Sequence, residues 1–579
     1  MLQIYKKMML LLDKKQKRTM VGIVFMMLIG AILEALGISI IVPIVQVIMD
    51  EQVFEKYEYI RKIYDFFGMK TQTQFTIVIL AALALVFVVK NIYLYIQQKV
   101  LCRFVYTNQF RTSERMMKNY LHKNYEFFLN ADTAVVQRTI TSDVNNMYAL
   151  ILNMLQLVSE AIVFVVIAVV LIVSDWKMTL AISAMLGLTM LLITKAIKPV
   201  MRKAGKDNQD YYSGLFKLIS QTVMGIKEVK VTTTEQHFVD EYIKCGKGYV
   251  NAVQKYTLLN SIPKLLIETV CISGTVVYMI VLIATGTAIV DMLPILTVFA
   301  AAVVRLMPCA TRMNTYLNNI VYFEPFLMGV SNNLQDEINH PDLKKEFAKE
   351  DHKKMPVKKA IALKDITYAY PNTEKLIFDH ADMEIPIGKA VGIVGTTGAG
   401  KSTVVDILLG LLKMQGGAVC ADDVDINTDY HGWLKNVGYI PQMIFMLDDT
   451  IRRNVAFGVS DENINEERVW EVLKEAQLDE FIRTLPEGLD TTIGERGIRL
   501  SGGQRQRIGI ARSLYNNPDV LIMDEATSAL DNDTEAAIIE SVNRLHGKKT
   551  LVIIAHRLQT IENCDMIYRV EDGKIKRER

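Results

Sequence analysis

The residues best suited to chemistry form a glycine-rich stretch in the second half of the chain. The stretch follows an apolar segment at 390–394, opens a predicted helix, and consists of Gly395, Thr396, Thr397, Gly398, Ala399, Gly400, Lys401, Ser402 and Thr403. Glycines let the backbone curve until its N–H groups surround phosphate groups. In this pattern the lysine neutralises charge on the β- and γ-phosphates, and the serine hydroxyl ligates Mg²⁺. The stretch therefore predicts a site for a nucleoside triphosphate with magnesium.

A second apolar segment, 520–523, ends in the acidic residues Asp524 and Glu525. A carboxylate at the end of a buried strand suits the ligand shell of Mg²⁺, and a second one suits a general base that polarises an attacking water. We assign the first role to Asp524 and the second to Glu525. The alternative, that both acids only cap the strand, is disfavoured by the phosphate-binding stretch upstream.

A Ser-Gly-Gly-Gln segment, 501–504, opens another predicted helix between these two motifs. Alone it is a common helix start. In this position it resembles the signature of the ATP-binding cassette (ABC) family, and the resemblance covers 361–579. In that family the signature binds the γ-phosphate of an ATP held by a partner cassette, which implies that Ser501, Gly503 and Gln504 contact nucleotide. Because the chain carries one cassette with intact motifs, the resemblance implies a dimer, most simply a homodimer.

The remaining elements of the family map onto single positions. Tyr370 resembles the aromatic residue that stacks on adenine, Gln442 the residue that contacts Mg²⁺ and the attacking water, and His556 the histidine at the γ-phosphate. Segment 492–497 resembles a loop found in exporters, and 528–531 resembles the loop that follows the catalytic glutamate. The resemblance thus implies Glu525, His556 and Gln442 as catalytic residues, and Ser402, Gln442 and Asp524 around the metal.

The first half of the chain is predicted to span a membrane. About 20 apolar residues cross a bilayer as a helix, and six runs meet that test, at about 20–49, 75–97, 150–174, 178–197, 262–285 and 292–313. The first run is too long for a signal peptide. We expect a transmembrane domain at 1–330, a polar linker at 331–360 and a cassette at 361–579. The fold class is thus an α-helical, six-span, domain-swapped exporter domain followed by an α/β P-loop NTPase.

Lys and Arg cluster at the N-terminus and in the long connections after the second and fourth runs. This bias places both termini in the cytosol. We expect the protein to lie in the plasma membrane of a bacterium. The two long connections, 101–149 and 198–261, predict helices that continue beyond the membrane, with segments near 125–132 and 231–237 pressing on the cassettes. An amphipathic helix is expected outside at 53–67, either packed on neighbouring spans or touching lipid. The net charge of +2 gives no support for nucleic-acid binding.

Charged residues inside the spans need a reason, because each costs about 2.5–3.5 kcal/mol at the bilayer centre. They are Glu34, Lys90, Glu160, Lys264, Glu268 and Arg305. Lys90, Lys264 and Arg305 fall near the level of the inner leaflet. All three are candidate cargo-binding residues. For Lys264 the favoured alternative is an ion pair with Glu268 four residues on. For Arg305 we favour a place in a cavity that binds cargo, and Lys90 fits either role.

The transmembrane half resembles, more narrowly, the lipid-linked oligosaccharide flippases of bacterial N-glycosylation. The resemblance rests on segments 33–38, 225–230, 263–268 and 305–308 and on the external amphipathic helix. It implies a lipidic cargo, a polyprenyl-diphosphate oligosaccharide, moved from the inner to the outer leaflet. Two alternatives stay open: an exporter of peptides, toxins or drugs, and a membrane-anchored ATPase that transports nothing.

Overall fold

The computed structural model describes residues 2–39, 72–174, 176–284, 289–335, 352–525, 540, 542–555 and 561–579. The chain divides into two compact units. One contains Met1–Lys123 and Ala131–Glu346, and the other contains Asn124–Asn130 and Phe347–Arg579. The second unit therefore includes a short segment that lies within the sequence of the first.

The described part of the first unit is helical. Its helices are α1 (Leu2–Leu11), α2 (Lys14–Ser39), α3 (Gln72–Leu121), α5 (Thr133–Arg138), α6 (Val144–Ser174), α7 (Trp176–Met224), α8 (Ile226–Val231), α9 (Glu235–Ala284) and α10 (Ile289–Asn333). Helices α3, α7, α9 and α10 have 45 to 50 residues each. At 1.5 Å per residue such helices exceed the 30 Å of a hydrocarbon core, which confirms that the long polar connections continue as helices.

Four segments of the described residues are long and apolar enough to cross a membrane, namely Lys14–Glu34, Thr76–Leu121, Thr133–Val169 and Ser183–Met224. They contain the first four predicted spans or parts of them. The two remaining predicted spans lie largely within α9 and α10, and their crossing stays a prediction. The predicted external helix at 53–67 lies outside the described residues.

The second unit is built on two sheets. Its strands are β1 (Ala360–Tyr368), β2 (Phe378–Pro386), β3 (Ala390–Val394), β4 (Gly416–Ala421), β5 (Val424–Asp425), β6 (Val437–Ile440), β7 (Val520–Asp524), β8 (Thr550–Ile554), β9 (Met566–Glu571) and β10 (Lys574–Arg577). One sheet is antiparallel, in the order β2-β1-β4-β5, and the other has the order β10-β9-β3-β8-β7-β6. In the second sheet β9, β3, β8, β7 and β6 are parallel.

The helices of this unit follow the same numbering. They are α4 (Tyr125–Asn130), α11 (Lys401–Leu408), α12 (Tyr430–Leu434), α13 (Ile451–Val455), α14 (Glu466–Glu475), α15 (Asp479–Thr484) and α16 (Gly502–Tyr515). Every residue of β3, β7 and β8 is buried, because these strands lie in the middle of the sheet with apolar clusters on both faces. Parallel strands bring their carboxyl ends to one edge, where α/β proteins bind ligands.

Candidate ATP site

The phosphate-binding loop joins β3 to α11 at the carboxyl edge of the parallel sheet. Gly400 has a φ of +106° and is the N-cap of α11. A Cβ atom at this position would lie 2.9 Å from Ile377 and 3.0 Å from Phe378, so both the backbone conformation and the space require glycine. The sequence-predicted curve of this loop is therefore present in the structure.

Lys401 lies in the first turn of α11, and its side chain bends over the loop. The residue is only 6% exposed, and its ammonium donates to the carbonyl oxygens of Gly395 at 3.0 Å and Thr396 at 3.2 Å. These carbonyls keep the charge of Lys401 solvated inside the protein. The ammonium is thus held at the loop, where phosphate oxygens would become its acceptors.

Ser402 and Asp524 meet across the edge of the sheet. The Ser402 hydroxyl donates to Asp524 Oδ1 at 3.3 Å, and Asp524 is 7% exposed. A hydroxyl and a carboxylate are the hard oxygen ligands that Mg²⁺ prefers, so the residues present fit this metal. One turn after Ser402, burial and then the charge of Asp524 raise the pKa of Asp406 to about 6. Sequence reasoning missed Asp406, although its i+4 spacing from Ser402 was visible.

Glu525 and Gln442 also come together at this edge. The Gln442 side-chain amide donates to Glu525 Oε2 at 2.8 Å. Both positions follow neighbouring parallel strands, because Ile440 of β6 pairs with Met523 of β7. Glu525 has a φ of +48°, and its backbone N–H donates to Ile554 in β8. The proposed base and the proposed sensor of water thus form a direct contact.

Tyr370 lies beside the helix that follows the loop. Its hydroxyl is 3.0 Å from the hydroxyl of Thr403, and its ring packs edge-on against Tyr368 at 5.3 Å. An aromatic side chain next to a phosphate loop is suitably placed for a nucleotide base. The stacking itself stays a prediction.

The signature segment forms the N-terminus of α16, a helix of 14 residues. The hydroxyl of Ser501 accepts from the backbone N–H of Gln504, and the Gln504 side chain accepts from the Ser501 N–H. This capping box fixes the helix start. Ser501 and Gly502 are exposed while Gly503 is buried, and within the described residues no hydrogen bond joins this segment to the phosphate loop of the same chain.

The predicted cargo residues are scattered over the first unit. The Lys90 ammonium lies 4.8 Å from the ring centre of Phe87 on α3. Lys264 is exposed on α9, and among the described residues no ion pair joins it to Glu268, so that predicted pairing is not found. Arg305 belongs to α10, but its side chain lies outside the described residues. His556 and 528–531 also lie outside them.

An arginine that sequence reasoning missed pairs with one of the charged residues that it found. Arg312 on α10 donates to both carboxylate oxygens of Glu160 on α6, at 2.7 and 3.0 Å. Arg312 follows Arg305 by seven residues, which places both on one side of a helix. That spacing was the signal available in the sequence.

The short helix α4 lies in the cassette unit. One carboxylate oxygen of Glu126 accepts from the Lys413 backbone N–H at 3.1 Å and from the Tyr368 hydroxyl at 3.4 Å. The segment predicted to press on a cassette therefore contacts one in the structure. The second predicted segment, near 231–237, belongs to the first unit, and its contact with a cassette stays a prediction.

Fold and site together define a membrane protein with a P-loop ATPase unit. The model of the ABC transporter transmembrane region matches residues 58–307, and the ABC transporter model matches 378–528. The ATP-dependent lipid A-core flippase of Haemophilus influenzae (strain 86-028NP) is 30% identical over 473 residues, which cover 80% of this chain and 78% of that protein. The chain belongs to the ABC transporter family.

Two further similarities agree with this assignment. A second ATP-dependent lipid A-core flippase, from Saccharophagus degradans, is 30% identical and aligns with 70% of this chain and 67% of its own length. A solved bacterial Atm1-family ABC exporter with ATP bound has a TM-score of 0.77 at 21% identity, and the match covers 96% of this chain and 95% of that one. The fold is thus that of an ABC exporter, and the chain is an ATP hydrolase whose hydrolysis is coupled to transport.

Proposed function

We propose that this protein is a flippase that moves a lipid-linked substrate, a polyprenyl-diphosphate oligosaccharide, from the inner to the outer leaflet. The observation that carries the lipid part is the similarity, over more than two thirds of both chains, to proteins named as lipid A-core flippases. The diphosphate part rests on cations at the predicted inner-leaflet level.

Two copies of the chain form the ATP sites in this proposal. Tyr370 and the loop 395–403 bind the nucleotide, and Ser402, Asp524 and Gln442 surround Mg²⁺. Glu525 acts as the general base, with His556 at the γ-phosphate, and Ser501, Gly503 and Gln504 of the other copy close the site. Support comes from the exposed N-terminus of α16, which is not bonded to the loop of its own chain within the described residues and which favours an anion electrostatically.

The proposed topology has six crossings with both termini in the cytosol of a bacterium. The four segments long and apolar enough to cross support the multi-pass part. The cytosolic assignment rests on the distribution of Lys and Arg. Labelling of single cysteines near each terminus in intact cells and in inverted vesicles tests it.

A diphosphate would meet arginine in the membrane half. Arg312 uses Nε and Nη2 on Glu160, while its Nη1 makes no hydrogen bond to any described residue, and the side chain is 46% exposed. Arginine binds two phosphate oxygens at once through its planar fork, and attraction is stronger in a partly dehydrated cavity than in water. We therefore add Arg312 to Arg305, Lys90 and Lys264 as a proposed cargo residue.

Flipping of a labelled polyprenyl-diphosphate glycan in proteoliposomes tests the proposal. Arg305→Ala should reduce ATP-dependent flipping and cargo-stimulated ATPase at least tenfold while basal ATPase stays unchanged, because a charge-assisted contact of ~1.5–3 kcal/mol is lost. Lys90→Ala should give a smaller defect. Arg305→Lys, which keeps the charge and loses the fork, should be intermediate.

The contrary result would be normal transport of diphosphate lipids by Arg305→Ala together with poor export of a cationic drug. That result would replace the glycolipid reading with the drug-exporter alternative. Glu525→Gln serves as the control for ATP-independent leakage in the same vesicles.

A further inference from the structure

One face of α7 changes from apolar to basic along its length. Leu188, Leu191 and Leu192 are 61 to 70% exposed, and the same side of the helix continues through Lys195, Pro199, Arg202, Lys203 and Lys206 at steps of three and four residues. The change takes place within one turn, about 5 Å of helix. Such an abrupt change is expected where a helix passes from hydrocarbon into lipid headgroups.

The basic part of this face borders a cavity of about 400 Å³ between α7 and α10, lined by Pro199, Arg202, Lys203, Lys206 and Glu324 among others. The two helices that border the cavity approach each other closely at Gly205, which neighbours the lining residue Lys206 in sequence. A Cβ atom on Gly205 would lie 2.0 Å from the carbonyl oxygen of Tyr322. Helices α7 and α10 are therefore tightly packed next to the cavity.

The charges around the cavity are unbalanced in favour of cations. Arg202 binds both carboxylate oxygens of Glu324 at 2.6 to 2.9 Å, and the Glu324 side chain is only 11% exposed. Lys203 and Lys206 are exposed, and neither forms an ion pair with any described residue. The acidic Asp207 and Asp210 follow and end the basic stretch. One acid is thus neutralised by Arg202, and the two lysines remain available to an anion.

We propose that this cavity binds the phosphate headgroup of an anionic phospholipid of the cytoplasmic leaflet, with acyl chains along Leu188, Leu191 and Leu192. The assignment rests on the proposed topology, which places this end of α7 in the cytosol. Basic pockets between helices on that side suit anionic headgroups, and each nearby Lys or Arg contributes about 1 kcal/mol. A free phosphate would use the lysines but would gain nothing from the exposed leucines.

The test compares two double variants of the full-length protein in detergent by native mass spectrometry. The probes are phosphatidylglycerol, phosphatidylcholine and inorganic phosphate, without ATP or cargo. Lys203→Gln with Lys206→Gln removes two exposed cations at the cavity and leaves the Arg202–Glu324 pair intact. Lys244→Gln with Lys247→Gln removes two exposed cations on α9, about 20 Å or more before its predicted span.

We expect the cavity variant to bind phosphatidylglycerol about thirty-fold more weakly than wild type, the equivalent of ~1 kcal/mol for each cation lost. The α9 variant should bind as wild type does, phosphatidylcholine should bind weakly to all three proteins, and inorganic phosphate should not compete. Equal losses in both variants, unchanged binding in the cavity variant, or full competition by phosphate would overturn the proposal. Because no transport is measured, failure of the flippase assay would leave this result standing.

A second experiment asks whether lipid or another copy of the chain covers this face. If lipid covers it, the thiol of Lys203→Cys should react with a soluble maleimide more slowly in membranes of phosphatidylcholine with about 30% phosphatidylglycerol than in membranes of phosphatidylcholine alone. Efficient disulfide formation between copies at this position would assign the face to a protein contact and overturn the lipid site.

Discussion

Glu525 holds a left-handed backbone conformation, with a φ of +48°, that costs a non-glycine residue about 1 kcal/mol or more. The strain is sustained by its N–H bond to Ile554 and by the end of a fully buried strand. The result is a carboxylate directed to the Gln442 amide at 2.8 Å. A residue placed at such a cost at the edge of a ligand-binding sheet suits catalysis better than capping.

Replacing the proposed base should separate binding from hydrolysis. Glu525→Gln should reduce ATP turnover by about 10²-fold or more, because an amide cannot accept the proton of the attacking water. Binding of a fluorescent ATP analogue should persist. Lys401→Ala, by contrast, should weaken binding itself. Hydrolysis by Glu525→Gln at the wild-type rate would show that another group is the base.

Asp406 predicts a dependence of stability on pH. Its native pKa of about 6 is above the ordinary aspartate value, so the native state holds this proton more tightly than the unfolded chain does. Stability from this group is therefore present at low pH and is lost as the pH rises through 6. Asp406→Asn should raise the midpoint of thermal unfolding at pH 7.5 by about 2 °C. The matching gain in the free energy of unfolding is below ~1 kcal/mol, because the carboxyl is partly exposed and solvent screens its charge.

The measurement is thermal unfolding at pH 5 and pH 7.5 without nucleotide or Mg²⁺. The difference between the two midpoints should shrink in Asp406→Asn and should stay as in wild type for Asp423→Asn, whose carboxylate is 84% exposed. A lower midpoint for Asp406→Asn at both pH values would mean that the ionised form stabilises the fold.

The sequence predicted the residues of the loop because their chemistry depends on neighbours along the chain. Gly400 and Lys401 belong to one contiguous pattern. Arg312 and Asp406 were missed because their significance arises from partners far away in sequence, Glu160 on another helix and Asp524 on another strand. Local spacing indicates which helix face Arg312 and Asp406 share with Arg305 and Ser402, but it does not show which distant residue each one contacts.

Among the elements, α4 shows how a helix of six residues can be held in place. It buries none of its own residues, so packing alone cannot fix it, and isolated helices this short are unstable in water. The Glu126 carboxylate holds the helix on the cassette, because it accepts hydrogen bonds from the Lys413 N–H and the Tyr368 hydroxyl. We infer that this contact carries movement between the cassette and the helices that flank α4 in sequence.

Removing the carboxylate should therefore impair coupling. Glu126→Ala should lower the ratio of cargo-stimulated to basal ATPase about fivefold, for the loss of ~1 kcal/mol of hydrogen bonding. Glu126→Gln keeps an acceptor oxygen for the Lys413 N–H and should remain near wild type. The combination of Glu126→Cys with Lys413→Cys should form a cross-link within one chain. Full stimulation in Glu126→Ala would exclude this contact from the coupling route.

The whole molecule is expected to work as two copies, because in the proposed function the signature of one chain completes the ATP site of the other. The sequence predicted the order of helical region, linker and cassette from hydropathy and motifs. It also predicted that a segment near 125–132 would press on a cassette, and Asn124–Asn130 groups with the cassette unit. The hydrogen bonds from Lys413 and Tyr368 to Glu126 hold this segment on the cassette.

Mixing two defective chains tests the dimer. Lys401→Ala and Ser501→Arg chains each form homodimers with both sites damaged. A mixed dimer has one site with both changes and one site with neither, so mixing should restore ATP-dependent closure in about half of the molecules if exchange is random. Closure can be followed by the distance between spin labels on the cassettes. If either homodimer alone closed at the ATP concentration that closes the wild-type dimer, the proposal that each ATP site is shared between two chains would be contradicted.

The chain passes between the two units three times, because Asn124–Asn130 belongs with Phe347–Arg579. A hybrid made by joining the membrane half of one relative to the cassette of another at a single point would carry a foreign α4 against the recipient's Tyr368 and Lys413. Recombination during evolution meets the same barrier. We expect the residues of α4 and those of its seat on the cassette to be inherited as one unit, so that successful exchanges between relatives must transfer two separate stretches of gene together.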